Sequence, residues 1–212
     1  MGHPTPLRRR LRCERGMTLV ELVVAMTLLA TVLLVFTSTL ASVQKVVVAE
    51  QTRGELNNQA RLALQTIDRL VRSGNLLYDP ASELGNDPYD ATSTGLMFRV
   101  YTQAKQQPDD DPRCALWLID DQQQLKYREW PPLQPENASV WRVVSTDIVN
   151  RTLDQPAFVT DADGRTITVE FLVNPNLDTD AAATQEFQAA ITGRNTSFGY
   201  PNDVCSDLPS LT

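Results

Sequence analysis

The long apolar run between Met17 and Gln44 holds a single charged side chain, the carboxylate of Glu21. Against lipid such a group costs roughly 2.5 kcal/mol or more. Opposite a positive charge in a low dielectric the same group becomes attractive. Other reactive groups are few. The only histidine is His3, so the body of the chain has no imidazole for acid–base catalysis, for a nucleophile pair or for zinc. Neither a Walker-type phosphate loop nor a GxGxxG after a strand occurs. Asp161-Ala162-Asp163-Gly164 starts like a calcium loop. However, Arg165 stands where the next oxygen ligand should be, and Glu170 falls two places early. A hairpin turn explains the same residues, so neither a metal nor another cofactor is expected. A Ser–Lys pair is the one enzymatic arrangement left open, and the chain is not expected to be an enzyme.

The elements around Glu21 follow from how charge is distributed. Of 212 residues, 42% are hydrophobic and 21% charged, as in a globular protein, but the average hides a segregation. Arg8, Arg9, Arg10, Arg12 and Arg15 against Glu14 alone give residues 1–16 a charge of +4, and the overall −7 leaves −11 for the remainder. A basic leader, an apolar segment long enough for a bilayer and an acidic body follow one another. A body of that sign argues against nucleic acid as a partner.

Three readings compete for the first 44 residues. A secretory signal has a shorter apolar stretch than this one and no carboxylate inside it, although Thr39-Leu40-Ala41 loosely fits a cut site. A plain anchor, its arginines held in the cytoplasm, leaves Glu21 without a purpose. The third reading gives Glu21 one. The stretch Arg15-Gly16-Met17-Thr18-Leu19-Val20-Glu21-Leu22 resembles the class III signal of type IV pilins and their relatives. The resemblance implies that a prepilin peptidase cuts after Gly16, that Met17 becomes the N-methylated terminus, and that Glu21 is the fifth mature residue. Met17 stands where the family usually has Phe. Glu21 would then meet the terminal ammonium of a neighbouring subunit, unpaired in the membrane and paired in a filament. Gly16, without a side chain, lets a protease approach the backbone. Cys13 would leave with the leader.

Beyond Gln44 the helical pattern continues. Leu56, Ala60, Ala63, Leu64, Ile67, Leu70 and Val71 step by three and four along one face, and the helix should stop near Ser73-Gly74. From Met17 to Arg72 it would measure about 84 Å at 1.5 Å per residue. Residues 17–44 form its membrane and assembly half, and 45–74 its amphipathic half. Residues 75–212 read as a β-rich extracytoplasmic head. Candidate strands are Leu96–Thr102, Ala115–Ile119, Leu125–Trp130, Val140–Val144 and Thr166–Val173, with hairpins from 116–119 to 125–130 and from 157–160 to 166–171. The expected class is α+β, with the long helix packed on a small antiparallel sheet in a pilin-like layer.

Cys114 and Cys205 are the cysteines left after processing. An even number outside the cytoplasm favours a disulfide, which would stabilise the head by about 4–5 kcal/mol in the chain-entropy model. Two buried thiols are the alternative. The triplets beginning at Asn137, Asn150 and Asn195 match the glycosylation pattern, and Asp109-Asp110-Asp111 reads as a solvated loop. Lys126, Arg128, Trp130, Trp141 and Arg142 are too scattered along the chain to define a nucleic-acid patch.

The stretch Asn58-Gln59-Ala60-Arg61-Leu62-Ala63-Leu64, with Asp68-Arg69-Leu70-Val71-Arg72 after it, is similar to PilW-like minor pilins and J-type pseudopilins. That likeness implies a subunit that initiates or caps a filament of a pilus, a secretion system or a DNA-uptake machine. The partners it implies are prepilin peptidase, other pilin or pseudopilin subunits met through the N-terminal helix, and the cytoplasmic or inner membrane. The alternative is a membrane-anchored binding module that does not assemble.

Overall fold

The computed structural model describes residues 18–103, 111–193, 201 and 203–210. Helix α1 (Leu19–Arg72) is followed by eight strands: β1 (Gly74–Leu77), β2 (Met97–Thr102), β3 (Arg113–Ile119), β4 (Leu125–Trp130), β5 (Arg142–Ser145), β6 (Phe158–Thr160), β7 (Thr166–Val173) and β8 (Gln185–Thr192). The chain divides into two compact units, residues 1–51 and 52–212, and α1 contributes to both. In the first unit every described residue is exposed.

In the second unit α1 turns one stripe inward. Leu56, Ala60, Ala63, Ile67, Leu70 and Val71 are buried, the spacing a 3.6-residue repeat demands. Leu64, expected in the same stripe, is only half-buried at its edge. The helix stops at Arg72, because Gly74 is already in β1 with its α-carbon against Val100. A β-carbon there would lie 2.7 Å from Val100 Cγ2, so only glycine lets the chain turn this sharply from helix to strand.

Where one sheet was expected there are two. β1 to β5 form an antiparallel meander in chain order, and β6, β7 and β8 form a separate three-stranded sheet. The break lies in the connection between β5 and β6, where Asp147 and Asp154 adopt positive φ of 60° and 52°. Two left-handed residues reverse the chain there and prevent β6 from extending the meander. Gly95, at φ +73°, holds the second sheet to the first. Its carbonyl accepts from the N–H groups of Ala157 (2.8 Å) and Phe158 (2.9 Å). A β-carbon on Gly95 would meet Pro156 Cβ at 2.7 Å.

Alternation along β2, β3 and β4 gives the larger sheet two apolar faces. Phe98, Val100, Ala115, Trp117, Ile119, Leu125 and Tyr127 face the helix stripe, and Phe158, Ile167, Val169, Phe171 and Ile191 of the smaller sheet close the same core. Phe98 and Phe158 stack at 5.7 Å, and Phe158 meets Phe171 edge-on at 5.9 Å. Ala63 is fully buried where the helix meets these rings. Ala63→Leu should therefore lower unfolding stability by about 1–3 kcal/mol through overpacking. By contrast, Leu62→Ala, at a position 59% exposed, should stay within about 0.5 kcal/mol. Denaturant melts of the two variants measure the difference.

The opposite face carries Leu76, Met97, Tyr101, Cys114, Leu116, Leu118 and Trp130, covered by Val204 and Cys205 of the C-terminal strap, residues 203–210. The strap is anchored at several points. Cys114 and Cys205 form a disulfide with α-carbons 5.7 Å apart. Arg99 Nη1 donates to the carbonyls of Cys205 (2.6 Å) and Ser206 (3.0 Å), while its Nε donates to Glu83 Oε1 at 2.5 Å. The Cys205 N–H donates to Tyr78 Oη at 3.0 Å, and Arg128 Nη1 donates to the Ser210 carbonyl at 2.6 Å. Arg99 and Glu83 are both nearly inaccessible, at 8% and 3% side-chain exposure, so each neutralises a charge that would be expensive to bury alone.

Candidate functional site

The helix that carries Glu21 begins with a side-chain cap. Thr18 Oγ1 accepts from the Glu21 N–H at 3.3 Å, and the Leu22 N–H donates to the Thr18 carbonyl at 3.1 Å. Thr18 thus satisfies donors that a helix start leaves open. The acid in the first turn also sits at the end of α1 where the helix dipole favours negative charge. Threonine three residues ahead of a glutamate is the capping-box spacing. That signal was present in the residues of the class III resemblance, but the sequence reading passed over it. Gly16 and Met17, like Cys13 and His3, lie outside the described residues.

From Leu19 onward α1 contains a stretch long and apolar enough to cross a membrane, and none of that stretch is buried. Its hydroxyls are turned back on the helix. Thr27 donates to the Val24 carbonyl, Thr31 to Leu28, Thr37 to Leu34, and Ser38 and Thr39 both to Val35, at 2.8–3.1 Å. These bonds satisfy each hydroxyl within its own turn, which lets it sit in hydrocarbon. Leu22, Val23, Leu29, Val32, Leu33 and Phe36 are all about half exposed or more. Among the described residues the Glu21 carboxylate makes no ion pair. It is the one charge on an apolar surface otherwise complete in itself.

The other residues considered in the head have structural duties. Asp161 Oδ1 accepts from the N–H groups of Arg165 (2.8 Å) and Thr166 (3.0 Å), closing the β6–β7 hairpin. These bonds, that to Thr166 first, hold its carboxyl below the usual range. Asp161 thus shapes the turn, while Asp163 is exposed. Lys126 Nζ lies 2.5 Å from Asp120 Oδ2, and this bond raises the lysine's pKa. Trp130 is buried, and Arg128 stacks over Trp141 at 4.9 Å while holding Ser210. Lys126, Arg128, Trp130 and Trp141 are therefore tied into the fold, while Arg142 is exposed. Asn150 is fully buried, bonded to the Glu170 carbonyl and the Leu172 N–H, which closes it to glycosylation. Asn137 is exposed, while Asp109, Asp110 and the Asn195 triplet fall outside the described residues.

Tyr78, beneath the strap, has its hydroxyl pushed up from the ordinary value, chiefly by burial. The folded state thus holds this proton more tightly than the unfolded chain. The corresponding stability is complete below the unfolded pKa of about 10 and is lost as pH rises through the higher folded value. Thermal melts of wild type should fall more steeply above about pH 10 than those of Tyr78→Phe.

Comparison with known families adds one finding. Residues 11–37 match the model of the prokaryotic N-terminal methylation motif. This segment is the class III signal of type IV pilins. The motif spans Gly16, Met17, the Thr18 cap, Glu21 and the apolar turns to Thr37. It marks a type IV pilin-like prepilin and implies processing by prepilin peptidase and assembly with other pilin subunits. Comparisons with curated proteins and with solved structures give no match. The motif therefore accounts for the N-terminal segment, and the head stands on its own geometry.

Proposed function

We propose that this chain is a minor pilin or pseudopilin, stored as a single-pass membrane prepilin with its head outside the cytoplasm. After cleavage following Gly16 and N-methylation of Met17, it initiates or caps a filament. The machine is a pilus, a type II secretion system or a DNA-uptake apparatus, and the chain has no enzymatic role. The observation that carries this reading is Glu21 in the first turn of a helix with an exposed apolar surface, inside the methylation motif. A carboxylate there is out of place in lipid and well placed for a neighbour's ammonium. The minor role is supported by the likeness of residues 58–72 to that group and by a head that needs two sheets and a strap.

Intact mass and the N-terminal peptide of the protein from its native membrane test the processing. A chain starting at methylated Met17 supports the proposal, whereas one starting near Val43, or an uncut one, removes it. Gly16→Leu should leave nearly all of the chain uncut, because a side chain beside the scissile bond blocks close approach of the protease. Copy number in sheared filaments tests the minor role: a few per filament is expected, and a count matching filament length would make it a major subunit instead.

A further inference from the structure

The disulfide joins residues separated by 91 positions, and the strap that carries Cys205 belongs to no strand or helix. Chance encounter of such distant thiols is entropically slow. The structure nevertheless fixes Cys205 on both sides of its peptide unit by contacts that do not involve sulfur. Its N–H donates to Tyr78 Oη at 3.0 Å, and its carbonyl accepts from Arg99 Nη1 at 2.6 Å. The next carbonyl, of Ser206, accepts from the same Nη1, and the Val204 carbonyl accepts from the Leu133 N–H at 3.1 Å. Arg99 is itself aimed by Glu83 through Nε and lies over the Tyr78 ring at 4.6 Å. Cys114 is set independently, in the middle strand of the larger sheet, opposite Tyr101 of β2 and Trp130 of β4.

We propose that Arg99, aimed by Glu83 and seated on Tyr78, is a positioning residue for oxidation: it grips the backbone of the C-terminal strap and presents Cys205 to Cys114 before the bond forms. The clamp binds main-chain carbonyls, so it works on the thiol form as well as on the disulfide. Oxidation then proceeds by thiol–disulfide exchange with a small disulfide oxidant. One cysteine thiolate attacks the oxidant and releases one thiol, and the second thiolate attacks the mixed disulfide and releases the other. Two protein thiols are oxidised and one oxidant disulfide is reduced. Docking of the strap raises the effective concentration of the second thiol in that last step.

The test uses the full chain in detergent, reduced under native conditions and then exposed to oxidised glutathione, with thiols trapped over time. Arg99→Gln should slow closure of the Cys114–Cys205 bond by at least about ten-fold, since charge-assisted bonds to both carbonyls are lost. Arg99 is buried, so Tyr78→Phe provides a second variant that keeps the ring and removes only the acceptor for the Cys205 N–H; a several-fold slowing is expected. In Cys114→Ser/Cys205→Ser, amide exchange across 203–210 should remain protected, because docking precedes the covalent bond. Closure at the wild-type rate in both single variants would overturn the proposal. So would a double-serine variant whose strap exchanges as freely as unfolded chain while the sheets stay protected.

Discussion

Glu21→Ala should insert into the membrane and be cut like wild type, yet be all but absent from filaments. On the proposed function, the carboxylate in the first turn of α1 would meet a neighbour's terminal ammonium. At about 4 Å and an effective dielectric near 20, such a pair is worth about 4 kcal/mol, a factor of roughly a thousand in subunit affinity. In the membrane the substitution removes an unfavourable group, so insertion should be no worse than in wild type. Sheared and membrane fractions, probed separately, give the readout. Glu21→Asp keeps the charge but shortens the reach, and should fall between. A chain that performs its role unchanged as Glu21→Ala would instead be an anchored binding module. Normal incorporation into filaments with alanine at this position would remove the assembly role of the carboxylate.

The second large effect concerns the strap. Cys205→Ser should lower the unfolding free energy of the head by about 4 kcal/mol, because cross-linking residues 114 and 205 chiefly restricts the unfolded chain. The native contacts of the strap do not depend on the bond, so most of the loss should appear as slower refolding, with little change in the tryptophan environment of the folded state. Trp130, buried beside the strap, reports on that environment. A loss that fell mainly on the unfolding rate would instead mean that the strap docks only after the folding transition state.

Much of both sheets was legible because several of their strands are strongly patterned. β4 and β7 occupy the expected residues Leu125–Trp130 and Thr166–Val173, and β2, β3 and β5 start or end within two residues of expectation. The hairpins β3–β4 and β6–β7 formed as read. β1 was missed because Gly74-Asn75-Leu76-Leu77 follows the helix with no connecting loop and begins with a poor strand former. β8 was missed because Gln185, Glu186, Gln188 and two alanines carry little β propensity. Only the alternation of Phe187, Ala189 and Ile191 marks its inner face. The second sheet depended on positive φ at Asp147 and Asp154, which no composition announces. In the N-terminal segment the residue types carried the motif themselves. By contrast, the Arg99–Glu83 pair grips a strap 106 positions further along the chain and could appear only once the sheet was built.

The hydroxyls of Thr27, Thr31, Thr37, Ser38 and Thr39 bond to their own helix. A helix with its polar groups closed on itself has almost no preference between lipid tails and the flanks of other helices. Transfer from one to the other then breaks few bonds and makes few, so the balance can be tipped by a small bias and reversed when that bias is withdrawn. On the proposed function, a subunit built this way would be recyclable: withdrawn intact into the bilayer and used again.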